Sequence, residues 1–347
     1  MTLSFKTILN KTQDLFDHIL KRNKKLIIFA GASSSGKSYL AKVLKDYFEK
    51  QNKKVVLISS DNFYKDLTTF FAYLYGTFDH PNLIDFKELN LCIEKLLNGK
   101  DVKIPIYSFE DHMRIGFEYI KADFDFLIIE GLYTLEFIKR EFLRKAEKIF
   151  VHSNKGELIL RRLLRDPERT KESLEKILSK LINVFPMWNV FGEKQRSLAD
   201  IIFINDYEII KDKGEAFLEG YVSSKKLSQV LSEYKLEKKE FVIEYYYKDE
   251  NKDILCVKEH YLNGKFYKVS LSKREVISFR KPLKVKSYSV FFKEPGMFSQ
   301  IHILMQLANL KYVFLLKKDI EIYKKDEKIL ILEKFRYSNK LKLLEKI

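Results

Sequence analysis

Short apolar runs alternate with longer amphipathic stretches through roughly the first six-tenths of the chain. The runs at 25–30, 54–59, 103–107, 124–129, 148–152 and 200–204 are dominated by Val, Ile, Leu and Phe. They are too short for helices. Unbroken apolar runs of this length, rich in branched residues, fit strands buried on both faces. Between them, segments 3–21, 37–50, 85–98, 134–146, 154–165 and 172–191 carry apolar residues at helical spacing. This alternation predicts an α/β fold with a parallel sheet flanked by helices. Asp85 stands where an N-cap belongs, and Asn98-Gly99 closes the same helix.

The pattern changes after Asp206. Residues 206–239 read as a strand end, a helix near 223–235 and a charged linker. From Glu240 onward the period is mostly that of strands. Phe241–Tyr247, Ile254–Tyr261 and Lys265–Leu271 are separated by polar turns, and Asn263-Gly264 is a strong hairpin signal. Then come Val285–Phe292, a helix over 297–310, and strands at Tyr312–Leu316, Ile320–Tyr323 and Lys328–Glu333. A strand-rich α+β second domain is expected. The expected organisation is a first domain over 1–207, a helical linker over 208–239 and a second domain over 240–347.

Composition narrows the class. At 347 residues the chain is long for one core, and 46% apolar with 14% aromatic content is ample to bury two. Cys92 and Cys256 are the only cysteines, so no disulfide framework or cysteine metal cluster is suggested. No apolar run approaches the length of a membrane span, the N-terminus has no signal-peptide pattern, and a cytoplasmic location is expected. The net charge of +16 comes from lysines spread along the whole chain, many of them opposite apolar positions. That spread disfavours nucleic acid as the partner, although a phosphorylated substrate would also favour a positive site.

Candidate chemistry sits where the apolar runs end. Gly31-Ala32-Ser33-Ser34-Ser35-Gly36-Lys37-Ser38 follows the first buried strand and opens a helix, which is the order a phosphate-binding loop requires. Its glycines let backbone N–H groups turn toward a phosphate at a helix N-terminus. Lys37 would reach the β- and γ-phosphates, and the Ser38 hydroxyl would ligate Mg²⁺. Asp61 follows the run at 54–59. It is placed either to take a proton from an attacking hydroxyl or simply to cap a turn. Glu130 closes the run at 124–129, a position suited to the Mg²⁺ shell, and Gly131 would let the chain turn away.

The stretch from about 24 to 205 resembles the uridine kinase and phosphoribulokinase family of P-loop kinases. Besides the phosphate loop, the resemblance rests on several motifs in family order. They are Ser60-Asp61-Asn62-Phe63-Tyr64-Lys65, Phe78-Asp79-His80-Pro81, Ile104-Pro105-Ile106-Tyr107-Ser108-Phe109, Asp111-His112-Met113-Arg114, Ile129-Glu130-Gly131, Arg161-Arg162-Leu163-Leu164-Arg165-Asp166 and Ala199-Asp200-Ile201-Ile202. The resemblance implies transfer of the γ-phosphate of ATP or GTP to the 5′-hydroxyl of uridine or cytidine. It implies Asp61 as base, with Lys37 and Arg169 also catalytic. Tyr64, Asp79, Tyr107, His112 and Arg114 would contact the nucleoside. Ser38 and Glu130 would hold Mg²⁺, and Arg162, Arg165 and Arg169 would belong to a lid over the phosphates. It also implies a homo-oligomer. A sugar-phosphate kinase and a non-catalytic nucleotide- or RNA-binding regulator remain the alternatives.

The chain departs from the family in places. The usual Arg-Gly-Arg of the lid is Arg169-Thr170-Lys171 here, Pro186 keeps its place, and Lys194 replaces a later proline. Lysine keeps the charge but loses the planar fork. Phe70-Phe71-Ala72-Tyr73-Leu74-Tyr75 is aromatic where the family is mostly polar. The second domain resembles a triphosphate-tunnel (CYTH-type) domain, but it lacks a Glu-x-Glu-x-Lys signature, since Glu240 and Glu244 stand four apart. Lys258, Lys284, Lys286 and Lys317 are candidates for a basic lining, or equally for solvated strand faces. A structural or regulatory role is expected of this domain.

Overall fold

The structure is a computed structural model that describes residues 7–66, 68–205, 215–222, 224–249, 254–278, 283–294, 296–336 and 341–346. Contacts divide the chain into two units. The first comprises Met1–Ser153, Arg165–Glu172 and Lys180–Asp206, and the second Asn154–Leu164, Ser173–Ser179 and Tyr207–Ile347.

In the first unit the strands are β1 (Thr7–Leu9), β2 (Leu26–Gly31), β3 (Val55–Ser59), β4 (Val102–Ser108), β5 (Met113–Ile120), β6 (Phe126–Gly131), β7 (Glu147–His152) and β8 (Ile201–Ile204). The helices here are α1 (Thr12–Arg22), α2 (Lys37–Glu49), α3 (Thr68–Tyr75), α4 (Phe86–Leu97), α5 (Thr134–Phe137) and α6 (Arg140–Lys145). After them come α7 (Lys155–Thr170) and α8 (Leu174–Met187), each with residues in both units, and α9 (Gln195–Leu198) of the first. Six strands form a parallel sheet in the order β1-β8-β7-β2-β6-β3.

All six residues of β2 are buried, as an unbroken apolar run in a two-faced sheet must be. Its alternate residues Ile27 and Phe29 join Phe126, Ile128, Ile149, Val151, Ile201 and Phe203 in one core. That core is covered by Leu15, Phe16 and Ile19 of α1 and by Leu40, Leu44 and Phe48 of α2. Asp85 caps α4 through the Glu88 N–H at 2.9 Å, and Gly99 follows the helix with φ +71°.

Four expectations for this region change. The helix expected over 3–21 begins only at Thr12. Thr7–Leu9 instead pairs with Ile201–Phe203 and covers the free edge of β8, and residues 3–6 lie outside the described residues. The run at 103–107 is not in the parallel sheet. As β4 it pairs antiparallel with β5 in a two-stranded sheet. The helix expected over 134–146 breaks between Phe137 and Lys139. There the Asn90 side chain accepts from the Lys139 N–H at 2.8 Å and donates to the Phe137 carbonyl at 3.0 Å, competing with the helical bonds. Lastly, Asn154–Leu164 and Ser173–Ser179, expected in the first domain, group with the second unit. Within that unit the buried Glu157 is ion-paired with Lys273, and Gly156 abuts Leu255 so closely that a Cβ would meet its Cδ1 at 2.8 Å.

The second unit contains β9 (Glu215–Val222), α10 (Ser224–Leu231), β10 (Lys235–Lys248), β11 (Ile254–Leu262), β12 (Lys265–Ser278), β13 (Leu283–Phe292), α11 (Met297–Leu307), β14 (Lys311–Lys325), β15 (Lys328–Phe335) and β16 (Leu341–Lys346). The strands close into an antiparallel barrel in the order β10-β11-β12-β13-β9-β16-β15-β14. The segment 208–239 is therefore not a helical linker. It supplies the strand that joins β13 to β16, and β10 starts five residues before the expected boundary at 240. Tyr312–Leu316 and Ile320–Tyr323 are parts of one strand. The charges between them do not end it, because Lys318 turns into the barrel and pairs there.

Period-2 alternation sends Glu240, Val242 and Glu244 of β10 to the interior, facing Ile320, Lys318 and Leu316 across β14 and, at Glu244, Lys258 across β11. Glu244 is fully buried and lies 2.9 Å from both Lys258 and Lys318, and Lys318 lies 2.8 Å from Glu333. Burial alone would raise the Glu244 carboxyl, but the two ammonium groups hold it well below the usual range. Burial opposes Glu240 in the same way, yet bonds with His260 and Lys238 hold it down at about 2. Lys317 has the opposite parity to Lys318 and does not face the interior. The side chains of Lys284 and Lys286 lie outside the described residues. On the outer face, Met297, Ile301, Leu304 and Met305 of α11 are buried over β11 and β12, where Leu255, Val257, Val269 and Leu271 supply the buried apolar surface.

Two outcomes follow for the barrel. Removing the Glu244 carboxylate (Glu244→Ala) takes away the carboxylate paired with Lys258 and leaves Lys318 with Glu333 alone, and should cost about 3–5 kcal/mol, read from urea unfolding. Glu240 and Glu244 have folded pKa values below their unfolded ones. Their contribution is therefore present above about pH 4.3 and is lost as pH falls, toward 2 for Glu240 and lower still for Glu244. Unfolding free energies measured from pH 7 to pH 2 should decline in that window, and a flat profile would contradict the network.

Candidate active site

The phosphate loop leaves the carboxyl end of β2 and enters α2. Gly36 is the helix N-cap with φ +93°, a left-handed conformation that favours glycine, and Ser34 also sits at φ +66°. Gly31 is fixed by proximity: a Cβ there would lie 2.5 Å from the Val151 carbonyl oxygen. Ala32 and Ser35 are buried, Ser33 and Ser34 partly exposed, and the Ser35 N–H donates to the Ala32 carbonyl at 3.0 Å. Lys37 is buried at the base of the loop.

Parallel register brings the other strand ends to the same edge. Ser59 lies beside Glu130, and Ala30 beside Gly131. The Ser38 hydroxyl donates to Glu130 Oε2 at 2.9 Å. Burial pushes the Glu130 carboxyl up, Lys37 pulls it down and the Asp61 charge pushes it up again, so three candidate residues share one electrostatic neighbourhood. Gly131 serves a purpose other than a turn. It ends β6, and a Cβ there would fall 1.9 Å from Ser60 Oγ.

Asp61 lies in a 3-10 turn, Ser60–Phe63, and its own N–H donates to Ser59 Oγ at 3.2 Å. Arg169 Nη2 is 3.3 Å from Asp61 Oδ2. The Arg165 guanidinium reaches Ser33 Oγ at 3.4 Å and is also bonded to its neighbour Asp166. Arg162 is on the part of α7 that belongs to the second unit, so the structure does not group it with the other loop residues.

The expected acceptor residues surround Tyr64, which is buried. Burial pushes its phenol well up, and the charges of Asp61 and Asp79 push it further. Its hydroxyl donates to the Phe78 carbonyl at 3.1 Å, and its ring lies 5.1 Å from that of Tyr107. Asp79 is buried, and its carbonyl accepts from the Tyr133 hydroxyl at 2.6 Å. His112 sits at φ +55° with its ring stacked 4.6 Å from Phe78. Arg114 makes tying contacts: Nε donates to the Tyr64 carbonyl at 2.8 Å, and Nη2 lies 2.9 Å from Glu88.

Three residues were not picked out from sequence. Tyr133 supports Asp79. Asn205, at the end of β8, donates to the Ser35 carbonyl at 2.8 Å and accepts from Ser153 Oγ at 2.5 Å. Phe109 lies edge-on to Tyr107 and Tyr64, and its ring centroid is 3.2 Å from the Arg169 guanidinium carbon. Its place in the Ile104–Phe109 motif was the available signal. Asn205 carries none beyond closing a strand.

A glycine-rich loop between a buried parallel strand and a helix, with a strand-end glutamate bonded to its serine, defines a P-loop nucleotide-binding protein. Residues 26–206 match the model of the phosphoribulokinase / uridine kinase family. A uridine kinase of Streptococcus gordonii is 32% identical over 185 residues, covering 52% of this chain and 87% of its own length. Among solved structures, a putative fructose transport system kinase from Silicibacter is 18% identical, with a TM-score of 0.47 over 56% of this chain and 98% of its own. A possible uridine kinase from Bacillus stearothermophilus is 16% identical, with a TM-score of 0.41 over 55% of this chain and 98% of its own. The chain belongs to the phosphoribulokinase / uridine kinase family and is a P-loop kinase, a phosphotransferase.

Asn205→Ala removes the side chain that holds the Ser35 carbonyl. It should lower stability by about 1–3 kcal/mol and raise the KM for nucleotide more than it lowers kcat. Denaturant unfolding and steady-state kinetics would both register this. Unchanged values in both would remove Asn205 from the loop's support.

Proposed function

We propose that the first unit transfers the γ-phosphate of ATP or GTP to the 5′-hydroxyl of a pyrimidine nucleoside, uridine or cytidine, giving the nucleoside monophosphate and a nucleoside diphosphate. The observation that carries this reading is the position of Asp61. Its charge acts on Glu130, beside the phosphate loop, and on Tyr64, beside Asp79. A base so placed serves a donor on one side and an acceptor on the other.

In this reading Asp61 takes the proton of the attacking hydroxyl as the new O–P bond forms, and the bond from the γ-phosphorus to the bridging oxygen breaks. Lys37 and the loop N–H groups hold the phosphates in line. Arg165 and Arg169 bring positive charge to the transferring group, most of the catalytic effect being positional and electrostatic. Ser38 and Glu130 fit Mg²⁺, being a hydroxyl and a carboxylate 2.9 Å apart. Mg²⁺ prefers one or two such protein oxygens with phosphate and water completing its shell. When bound, the ion would neutralise charge on the phosphate oxygens.

Aromatic surface around the acceptor residues supports a nucleobase over a second phosphate. Tyr64, Tyr107 and Phe109 form one ring cluster, and Phe78 stacks with His112. Asp79 would accept from ribose hydroxyls. For the second unit we propose an accessory role, because its interior carboxylates are committed to interior lysines.

ATP- and GTP-dependent phosphorylation of a panel of nucleosides and pentose phosphates tests the assignment. Uridine or cytidine should turn over, and Asp61→Asn should lower kcat at least about a hundredfold. Turnover confined to a sugar phosphate would replace the acceptor. Nucleotide binding with no turnover would replace the reaction.

A further inference from the structure

A hollow of about 340 Å³ opens on the first unit away from the candidate active site. Its floor is apolar. Leu135 and Ile138 are buried there, and Leu143 of α6 and Leu198 of α9 lie beside them. Leu198 is 42% exposed, an apolar side chain left open on the rim. Lys148, also in the lining, stands at the amino end of β7, and Leu198 precedes the amino end of β8. The phosphate loop leaves the carboxyl end of β2, which runs parallel to β7. The hollow therefore reaches the opposite edge of the sheet, and it shares no residue with the transfer site.

The rim carries more positive charge than its acidic neighbours answer. Glu136 Oε1 is 2.5 Å from Lys194 Nζ, and Lys148 Nζ is 2.9 Å from Asp200 Oδ1, so those charges are matched locally. Arg140 and Arg144 also line the hollow and are exposed. Among the described residues neither side chain has a hydrogen bond or an ion pair. They stand four residues apart on α6, a spacing that puts both on one face. Two exposed arginines by themselves are an ordinary solvated surface. Here they flank an apolar floor, and the combination selects a ligand with two negative charges at one end and an apolar ring at the other. A phosphate monoester is close to a dianion near neutral pH. Its oxygens match the planar fork of arginine. A carboxylate would leave one arginine unmatched. The volume is at the low end of the range for small-molecule pockets, about 300–1,000 Å³, which suits a single ring.

We infer that this hollow binds a phosphate monoester of a small ring compound. The phosphate is held by Arg140 and Arg144, and the ring lies on Leu135, Ile138, Leu143 and Leu198. It is a second ligand site, independent of which acceptor the kinase phosphorylates.

Phenyl phosphate is the probe. It is titrated calorimetrically into the full chain already saturated with a non-hydrolysable ATP analogue and Mg²⁺, so that the phosphate loop is filled. It should bind at least about tenfold more tightly than inorganic phosphate, the difference being burial of the ring. Arg140→Gln combined with Arg144→Gln should weaken it at least about tenfold through lost charge-assisted bonds. Leu198→Trp fills the hollow from an exposed position and should weaken it about as much while both arginines remain. All three substitutions lie outside the transfer site, so affinity for the ATP analogue should be unchanged, which checks that the variants fold. Absence of binding, equal affinity for inorganic phosphate, or binding that survives either variant would overturn the inference. Survival in both would put the probe on the aromatic acceptor residues instead.

Discussion

The burial of β2 on both faces is the constraint from which the site follows. A strand with no exposed residue has neighbours on either side and helices above and below, so its register with β6 and β7 cannot slip without exposing core. Register then decides chemistry. It sets Glu130 beside Ser59 and ends β2 at the phosphate loop, so that the Ser38 hydroxyl meets a carboxylate from a strand about ninety residues later in the chain. The turn after β3 delivers Asp61 to the same edge.

The barrel meets a different constraint. A closed antiparallel sheet must fill its interior from alternate residues of every strand, and here many of those residues are charged. The solution is pairing in chains: Lys258 and Lys318 share Glu244, and Lys318 also reaches Glu333. Each charge is tolerable only because of the next. Among the described residues the interior charges are thus held in linked pairs, while the outer face under α11 is apolar.

Much of the first unit was legible because its signals are local. The phosphate loop, the Asp85 cap and the strand-end positions of Asp61 and Glu130 each depend on a few adjacent residues. What escaped depended on distant partners. Nothing in the 134–146 stretch announces that Asn90 will take its backbone bonds, and nothing in Thr7–Leu9 announces that β8 needs an edge partner. In the second unit the strand period was readable from Phe241 onward. The charges within β14 looked like a break because their partners lie on β10 and β15, and β9 was hidden in a stretch whose helix was easier to see. The ring of Phe109 belonged to a visible motif, but its contact with Arg169 joins residues sixty positions apart.

Gly131 and Ser60 illustrate how closely two loops can share volume. A single methyl group on Gly131 would overlap both Oγ and Cβ of Ser60, the residue next to Asp61. The overlap cannot be relieved by rotating the serine alone, since its Cβ is also within 2.6 Å of the added atom. The two positions are therefore not free to drift independently over evolutionary time. A lineage that acquires a side chain at 131 must first make room at 60, and any route that passes through the crowded intermediate displaces the aspartate beside it.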